Sequence, residues 1–284
     1  MLFCQRGGGC EQNGLVQFAS HRKSVWVEWV FDLIARDDAP IAKQSAMIER
    51  DGSPTLWRRE LTVMDVAYVK ERSQLDEYRA AGINARYLDQ ACPSDMPAAT
   101  HEELPTWDVV VIGTPGKAWR QRYHDVSILL SEGFSVAWAG HPRGDVPRGA
   151  LPLPFCPALS IPRLASNAAV VLSVDLRQDL DGYRSDRLWL CMGAGACVAH
   201  RRGVGLPTAV ESRAACYDTD GELVSLVSDL RRDVNRRRHI GEAARRYVMQ
   251  YHTYENRLKQ ILRDTTAWSD RRKASAASVV GAVA

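Results

Sequence analysis

The chain has 284 residues, 45% hydrophobic and 25% charged, with 37 Lys and Arg against 34 Asp and Glu. That balance fits a folded protein of one large domain or two ordinary ones, and it excludes a disordered chain. A formal net charge of +3 is too small to point to nucleic acid or to an anionic membrane. No run of about 18 apolar residues occurs, so no transmembrane helix is expected, and the start Met-Leu-Phe-Cys-Gln-Arg has no secretory apolar core. The seven cysteines, Cys4, Cys10, Cys92, Cys156, Cys191, Cys197 and Cys216, are odd in number and form no C-x-x-C pair. They argue against a zinc site or a disulfide framework and for reduced thiols in a cytoplasmic protein.

Residues 24–29 are β-branched and aromatic and predict a strand. Residues 65–69 predict another, followed by a helix over 73–81 with Ser73 as its N-cap and Gly82 in the place of a C-cap glycine. A strand over 85–88 completes a β-α-β pattern, which favours a parallel sheet with helices on its faces. Residues 91–105 hold Pro93, Pro97 and Pro105 among acidic and small residues, the composition of a linker. The run Trp107-Asp-Val-Val-Val-Ile-Gly113 is the cleanest strand of the chain. A helix over about 118–131, a strand over 135–139, a Pro- and Gly-rich loop over 140–157 and a buried strand over 169–174 follow. Next come a short helix over 185–192 and short strands over 196–199 and 214–217. Helices over 221–233, 235–250 and 254–268 close the pattern. The chain thus divides into two α/β units, 1–105 and 106–265, with 266–284 as a frayed tail. Arg231, Arg232, Arg236, Arg237 and Arg238 interleave with Asp229 and Asp233 and read as a solvated helix face.

Two constellations can carry chemistry. In Val109-Val-Val-Ile-Gly-Thr-Pro-Gly-Lys117 a buried strand ends in a glycine turn, and a helix starts just beyond it. Backbone N–H groups of such a turn can approach a phosphate, with Lys117 and Arg120 adding charge; a plain structural turn is the competing reading. The string lacks the G-x-x-x-x-G-K-[ST] spacing, which excludes a P-loop ATPase. The second constellation, Gly182-Tyr-Arg-Ser-Asp-Arg-Leu-Trp-Leu-Cys-Met-Gly-Ala-Gly195, leads through Tyr183 into a short helix that Ser185 can cap and that ends in Gly193 and Gly195. Arg187 stands near the start of that helix, where a cation gains nothing from the dipole. It needs an anionic partner, either a carboxylate of the protein or a ligand phosphate. Two Asp-x-Asp strings, Asp179–Asp181 and Asp218–Asp220, lack the buried-strand context of a metal motif and predict no metal. His200 and His252 read as structural. Asp32, after an apolar strand, is either a base facing a cleft or a structural cap.

The order Ser185-x-Arg187-x-Trp189, a Gly193-x-Gly195 turn and a strand resembles the donor-site motif of group 1-like glycosyltransferases of the GT-B fold, in the branch that includes spore-maturation proteins. Gly205-Leu206, Tyr217-Asp-Thr-Asp-Gly-Glu-Leu-Val224, Ile240-Gly-Glu-Ala-Ala-Arg-Arg246 and His252-Thr-Tyr-Glu-Asn-Arg257 are similar to the family's later motifs. The last string is the most specific. Upstream, Trp107 to Gly113 resembles the first strand of the donor domain, and Trp29-Val-Phe-Asp-Leu33 and Tyr87-Leu-Asp-Gln-Ala-Cys92 resemble acceptor-domain markers.

The resemblance implies two Rossmann-like domains with parallel sheets, the first shortened and beginning inside its usual sheet. It implies a metal-independent transferase that moves a sugar from a nucleotide diphosphate sugar to an acceptor in the cleft between them, with no cofactor beyond that donor. Gly113, Thr114 and Arg120 would lie at the donor diphosphate, and Arg187 would stabilise charge on the leaving nucleotide. Gly193 and Gly195 would let the helix pack closely on the sheet, and the helix from Tyr254 would return to the first domain. Where family members commonly carry a ribose-binding glutamate, this chain has Leu190. A catalytically silent binding or scaffold protein is therefore the second expectation. A Rossmann oxidoreductase is not expected, because no G-x-G-x-x-G turn follows the first strand. Polysaccharide, lipid-linked glycan, protein and modified nucleobase all remain open as acceptors.

Overall fold

The computed structural model describes residues 2–4, 25–29, 64–115, 120–140 and 146–281. Its contacts divide the chain into two compact units, one of Met1–Asp89 with Glu255–Ala284 and one of Gln90–Tyr254. The expected boundary near 105 gives way to one at Asp89, because the 91–105 segment is built into the second unit. Ala99 N–H donates to the carbonyl of Ala194, and Cys92 N–H donates to that of His252.

The first unit holds a parallel four-stranded sheet in sequential order. Its strands are β1 (Leu2–Cys4), β2 (Trp26–Trp29), β3 (Val66–Val69) and β4 (Ala85–Tyr87). Between β3 and β4 lies α1 (Leu75–Ala80), entered through a 3-10 turn at Arg72–Gln74, so the helix starts two residues later than expected and Ser73 does not cap it. Gly82, at φ +81°, ends α1: its N–H donates to Arg79 O and that of Ile83 to Tyr78 O. That paired geometry needs a left-handed residue, which glycine adopts without a Cβ penalty. The last helix, α8 (Tyr254–Gly281), belongs with this unit, where Asp264 accepts from Tyr68 Oη at 2.9 Å. The expected frayed tail from 266 is helical as far as Gly281.

The second unit is a parallel six-stranded sheet. Its strands are β5 (Trp107–Ile112), β6 (Val136–Ala139), β7 (Leu151–Leu153), β8 (Ala168–Ser173), β9 (Val198–Arg201) and β10 (Ala215–Tyr217). They lie in the order β10-β9-β8-β5-β6-β7. The chain builds outward from β5 to β7, crosses back and builds the other way from β8. That makes β5 and β8 the two strands of a Rossmann switch point. The helices are α2 (Arg120–Ser131), α3 (Ile161–Ser166), α4 (Asp186–Gly193), α5 (Thr208–Glu211), α6 (Asp220–Arg232) and α7 (Val234–Tyr251).

Alternation along β5 sorts its side chains between two cores. Val110 and Ile112 pack with residues of α3, α4 and α7, while Val109 and Val111 pack with those of α2 and α6. Both faces are therefore covered, which is why the strand reads as an unbroken apolar run. Strand β7 lies inside the 140–157 stretch whose prolines and glycines predicted only loop, and helix α3 follows that stretch. Thr219 and Glu222 form a capping box at the start of α6. At the other end, the buried Arg237 donates to the carbonyls of Leu230 and Arg231, so this member of the arginine cluster is a helix cap rather than part of a solvated face.

Helix α4 packs on α7 through glycines. The carbonyl of Gly195 sits against Gly241, and a Cβ on Gly193 would lie 2.6 Å from Cys92 Sγ. Arg245, from α7, donates to the carbonyls of Gly193, Met96 and Pro97, which closes the C-terminal end of α4 and ties the 91–105 segment to it. The ring of Trp189 stacks on that of His252 with centroids 3.9 Å apart, and Tyr247 Oη lies 3.0 Å from His252 Nε2.

Candidate functional site

In an open parallel sheet, ligands bind outside the carboxyl ends of the strands where the order reverses. Here that crevice opens past Ile112 on β5 and Ser173 on β8. Gly113 is the first residue beyond β5, at φ +127°, a backbone geometry that L side chains rarely adopt. It is held on both sides: its N–H donates to Ala139 O at 2.8 Å, and its carbonyl accepts from Trp138 Nε1 at 2.8 Å. A Cβ on Gly140, at the end of β6, would run into that same carbonyl and come within 2.9 Å of Pro115 Cδ. The turn is thus closed by two glycines and an indole.

Arg187 fills the space a Gly113 side chain would need. A Cβ on Gly113 would lie 2.8 Å from Cζ and 2.9 Å from Nε of the Arg187 guanidinium. The Nη1 of Arg187 is buried and has no hydrogen-bond partner. A buried, unpaired guanidinium nitrogen is costly unless a ligand or ordered water completes it.

A second guanidinium stands at the same point. Arg122, in the first turn of α2, is 3% exposed. Its Nη2 donates to Val174 O at 3.0 Å and its Nη1 reaches Thr114 O at 3.5 Å. It therefore bridges the ends of β8 and β5 across the reversal of strand order. Burial lowers its pKa well below the ordinary arginine value, and Arg187 lowers it further, while Tyr183, Asp175 and Asp186 act in the opposite sense. Two cations within electrostatic range of each other, at the reversal of strand order, can receive a multiply charged anion.

Helix α4 adds its N-terminus. Ser185 occupies the N-cap position with extended dihedrals, but its hydroxyl donates to Asp186 Oδ1 at 3.2 Å rather than capping the helix. Asp186 Oδ1 itself accepts the Arg187 N–H at 2.7 Å. An acid one residue into the helix takes the role expected of Ser185, because its side chain reaches the same free donor.

The remaining candidate residues fall in different places. Thr114 is exposed beside Gly113, and Arg120 is exposed at the start of α2, where it is Arg122 that turns inward. Tyr183 is buried. Leu190 is 9% exposed and packs within the core that α4 shares with α3 and α7. Gly193 and Gly195 lie at the far end of α4 from Arg187, about 9 and 12 Å along its axis, next to the start of β9. Gly195 is the left-handed residue that ends the helix at φ +75°. These two glycines serve packing and capping, away from the crevice. Lys117 and Asp32 lie outside the described residues.

Of the Asp-x-Asp residues, Asp179 pairs with Arg177, Asp181 packs against Gly205, Asp218 pairs with Arg202, and Asp220 lies 2.8 Å from His124 Nε2. His124, Asp125 and Asp220 come close together, but Asp125 already accepts from Gln121, Arg201 and Tyr217. The Arg201 guanidinium stands 3.7 Å from Asp220 as well, so these carboxylates already have a cationic partner.

The fold and the crevice together define a GT-B-type protein. The family model described as glycosyl transferase-like matches residues 96–263, more than half of the chain. The chain belongs to that family. Among solved structures it is similar to sucrose-phosphate synthase from Thermosynechococcus elongatus, with a TM-score of 0.61 at 12% identity over 88% of this chain and 70% of that one. It is also similar to Anabaena HepE in complex with UDP-glucose, with a TM-score of 0.62 at 12% identity over 90% and 77% of the two chains. T4 phage BGT in complex with UDP-glucose gives a TM-score of 0.51 at 13% identity over 91% and 76%. No curated protein matches the sequence. No helix among the described residues is long and apolar enough to cross a membrane.

Proposed function

We propose that the chain is a metal-independent glycosyltransferase that takes a hexosyl or related sugar from a nucleotide diphosphate sugar. The observation that carries this is the unpartnered Nη1 of Arg187, packed on Gly113 within electrostatic range of the buried Arg122. Two guanidinium groups and a helix N-terminus at a switch point offer a diphosphate the charge and donors it needs. When the glycosidic bond to the diphosphate breaks, negative charge grows on the leaving phosphate oxygen. Cations already fixed around that oxygen lower the barrier without a metal. The UDP-glucose held by HepE and by T4 phage BGT supports a uridine nucleotide as the first donor to try.

The free thiols of Cys92, Cys156, Cys191, Cys197 and Cys216 support a reducing, cytoplasmic setting. The string from His252 to Arg257 supports the spore-maturation-type branch, and its ends have structural work: His252 stacks on Trp189, and Arg257 Nε donates to Asp89 O at 2.9 Å. Leu190 favours a second reading, a silent GT-B-like binding protein. Its apolar side chain accepts no hydrogen bond from ribose hydroxyls, so the nucleoside must be held by other groups.

Thermal unfolding with a panel of nucleoside diphosphates and their sugars, on wild type and Arg187→Ala, tests the site. The expected result is stabilisation of wild type that the variant loses. No response to any nucleotide overturns the donor site. Release of free sugar from a stabilising donor then separates the transferase from the silent binder.

A further inference from the structure

Asp175 is a buried acid that the crevice has not so far needed. It follows β8 by two residues, is 3% exposed, and its Oδ1 accepts the Ser185 N–H at 2.8 Å. Its Oδ2 is buried without a hydrogen bond and lies 3.7 Å from Nε2 of His200, which is itself 0% exposed. Burial lowers the pKa of His200 below its ordinary value, which weakens the imidazole as a cationic partner for Asp175. Burying a carboxylate costs several kcal/mol even when it is partly compensated. A carboxylate kept at this cost is one whose position matters.

That position links three elements. The Asp175–Ser185 bond closes the 176–184 loop and joins the end of β8 to the start of α4. Two residues on, α4 carries Arg187, whose guanidinium lies against Gly113 at the end of β5. The Ser185 hydroxyl does not cap α4, so the entry of the helix is set by two carboxylates: Asp175 on the Ser185 N–H and Asp186 on the Arg187 N–H. Asp186 belongs to the helix and moves with it. Asp175 refers the entry of the helix to the sheet.

We propose that Asp175 is a positioning residue for the donor diphosphate: by holding the Ser185 N–H it fixes the first turn of α4 and keeps the Arg187 guanidinium against Gly113. The proposal rests on the reading of this crevice as a nucleoside diphosphate site. It requires an acceptor oxygen at residue 175, not a negative charge. Asparagine keeps that oxygen and alanine does not.

The test measures binding of UDP and UMP by calorimetry to wild type, Asp175→Asn, Asp175→Ala, Arg187→Ala and the Asp175→Ala/Arg187→Ala double variant. Amide exchange over the first turn of α4 is followed in the ligand-free proteins. Asp175→Ala is expected to weaken UDP about tenfold and UMP by less than about threefold, because the lost contact is the one to the second phosphate. Exchange at Ser185 and Arg187 should rise about tenfold in the same variant. Asp175→Asn should stay within about threefold of wild type in both readouts. In the Arg187→Ala background the Asp175→Ala effect on UDP should shrink to less than about twofold, as two residues acting through one contact require.

Equal weakening of UDP and UMP, or additive losses in the double variant, would mean a merely structural role and overturn the proposal. If Asp175→Ala does not fold, the asparagine variant decides: a tenfold loss of UDP there overturns the need for an acceptor alone. Wild type that binds neither nucleotide overturns the donor reading, and the exchange data then report separately whether Asp175 anchors α4.

Discussion

The guanidinium of Arg187 occupies the volume that a side chain on Gly113 would fill. An added Cβ would stand 2.8 Å from its Cζ, well inside van der Waals contact. Gly113 follows the end of β5 and Arg187 stands in the first turn of α4, 74 positions further along the chain, and each is meaningful only because of the other.

Gly113→Ala is therefore expected to behave as an arginine variant. The new methyl must expel Arg187, and the backbone at φ +127° adds about 1–2 kcal/mol of strain. Calorimetry with UDP should show a loss as large as that of Arg187→Ala, on the order of tenfold or more. Binding like that of wild type would show that Arg187 is not needed where it stands.

Arg122→Met should separate stability from binding. Removing a buried cation relieves its desolvation cost and its repulsion by Arg187. The carbonyls of Val174 and Thr114 lose their donor, which offsets part of that gain. The expected outcome is an unfolding free energy from urea titration within about 1 kcal/mol of wild type and UDP binding weakened about 10- to 100-fold. Unchanged binding would remove Arg122 from the site.

Much of this architecture is legible in the sequence. The run from Trp107 to Ile112 announces a strand covered on both faces, and the positive-φ glycines Gly82, Gly133 and Gly195 mark helix ends. Arg122 is not legible in the same way. It differs from Arg120 only in helical phase, and nothing in a polar stretch tells which arginine faces the sheet until α2 is docked. Asp175 looks like any acid after a strand, since its partner Ser185 is fixed by a loop whose path the sequence does not state. Leu151–Leu153 escaped as a strand because its prolines read as breakers, which they are for an interior strand but not for an edge.

Arg245→Met should destabilise the second unit through its carbonyls rather than its core. Loss of the side chain leaves Gly193, Met96 and Pro97 without this donor. A cost of about 2–3 kcal/mol is expected from chemical denaturation, with UDP affinity retained in the folded fraction. A cost below about 0.5 kcal/mol would show that water replaces the guanidinium freely.

Stability should fall in mild acid, and His200 should account for part of the fall. Burial lowers the pKa of this imidazole below its ordinary 6.5, so below that value the unfolded chain binds a proton that the folded chain refuses. Stability is then full above about pH 6.5 and declines as pH drops toward the lowered folded value, by up to about 1.4 kcal/mol per pH unit for one such group. His101, lowered for the same reason, adds in the same direction. Comparing urea midpoints at pH 7.5 and 5.5, His200→Gln should lose less than wild type. An equal loss would place the acid sensitivity elsewhere.

The six-stranded sheet ends at β7, a strand of Leu151, Pro152 and Leu153 followed by Pro154. Leu151 is 49% and Phe155 63% exposed, so this margin combines open backbone with uncovered apolar side chains. Such a margin invites strand addition by a second molecule, the first step of aggregation. Pro152 and Pro154 remove two of the N–H groups that an incoming strand would need. Among the described residues this sheet margin is thus bare yet sterile, guarded by missing hydrogen-bond donors instead of by cover.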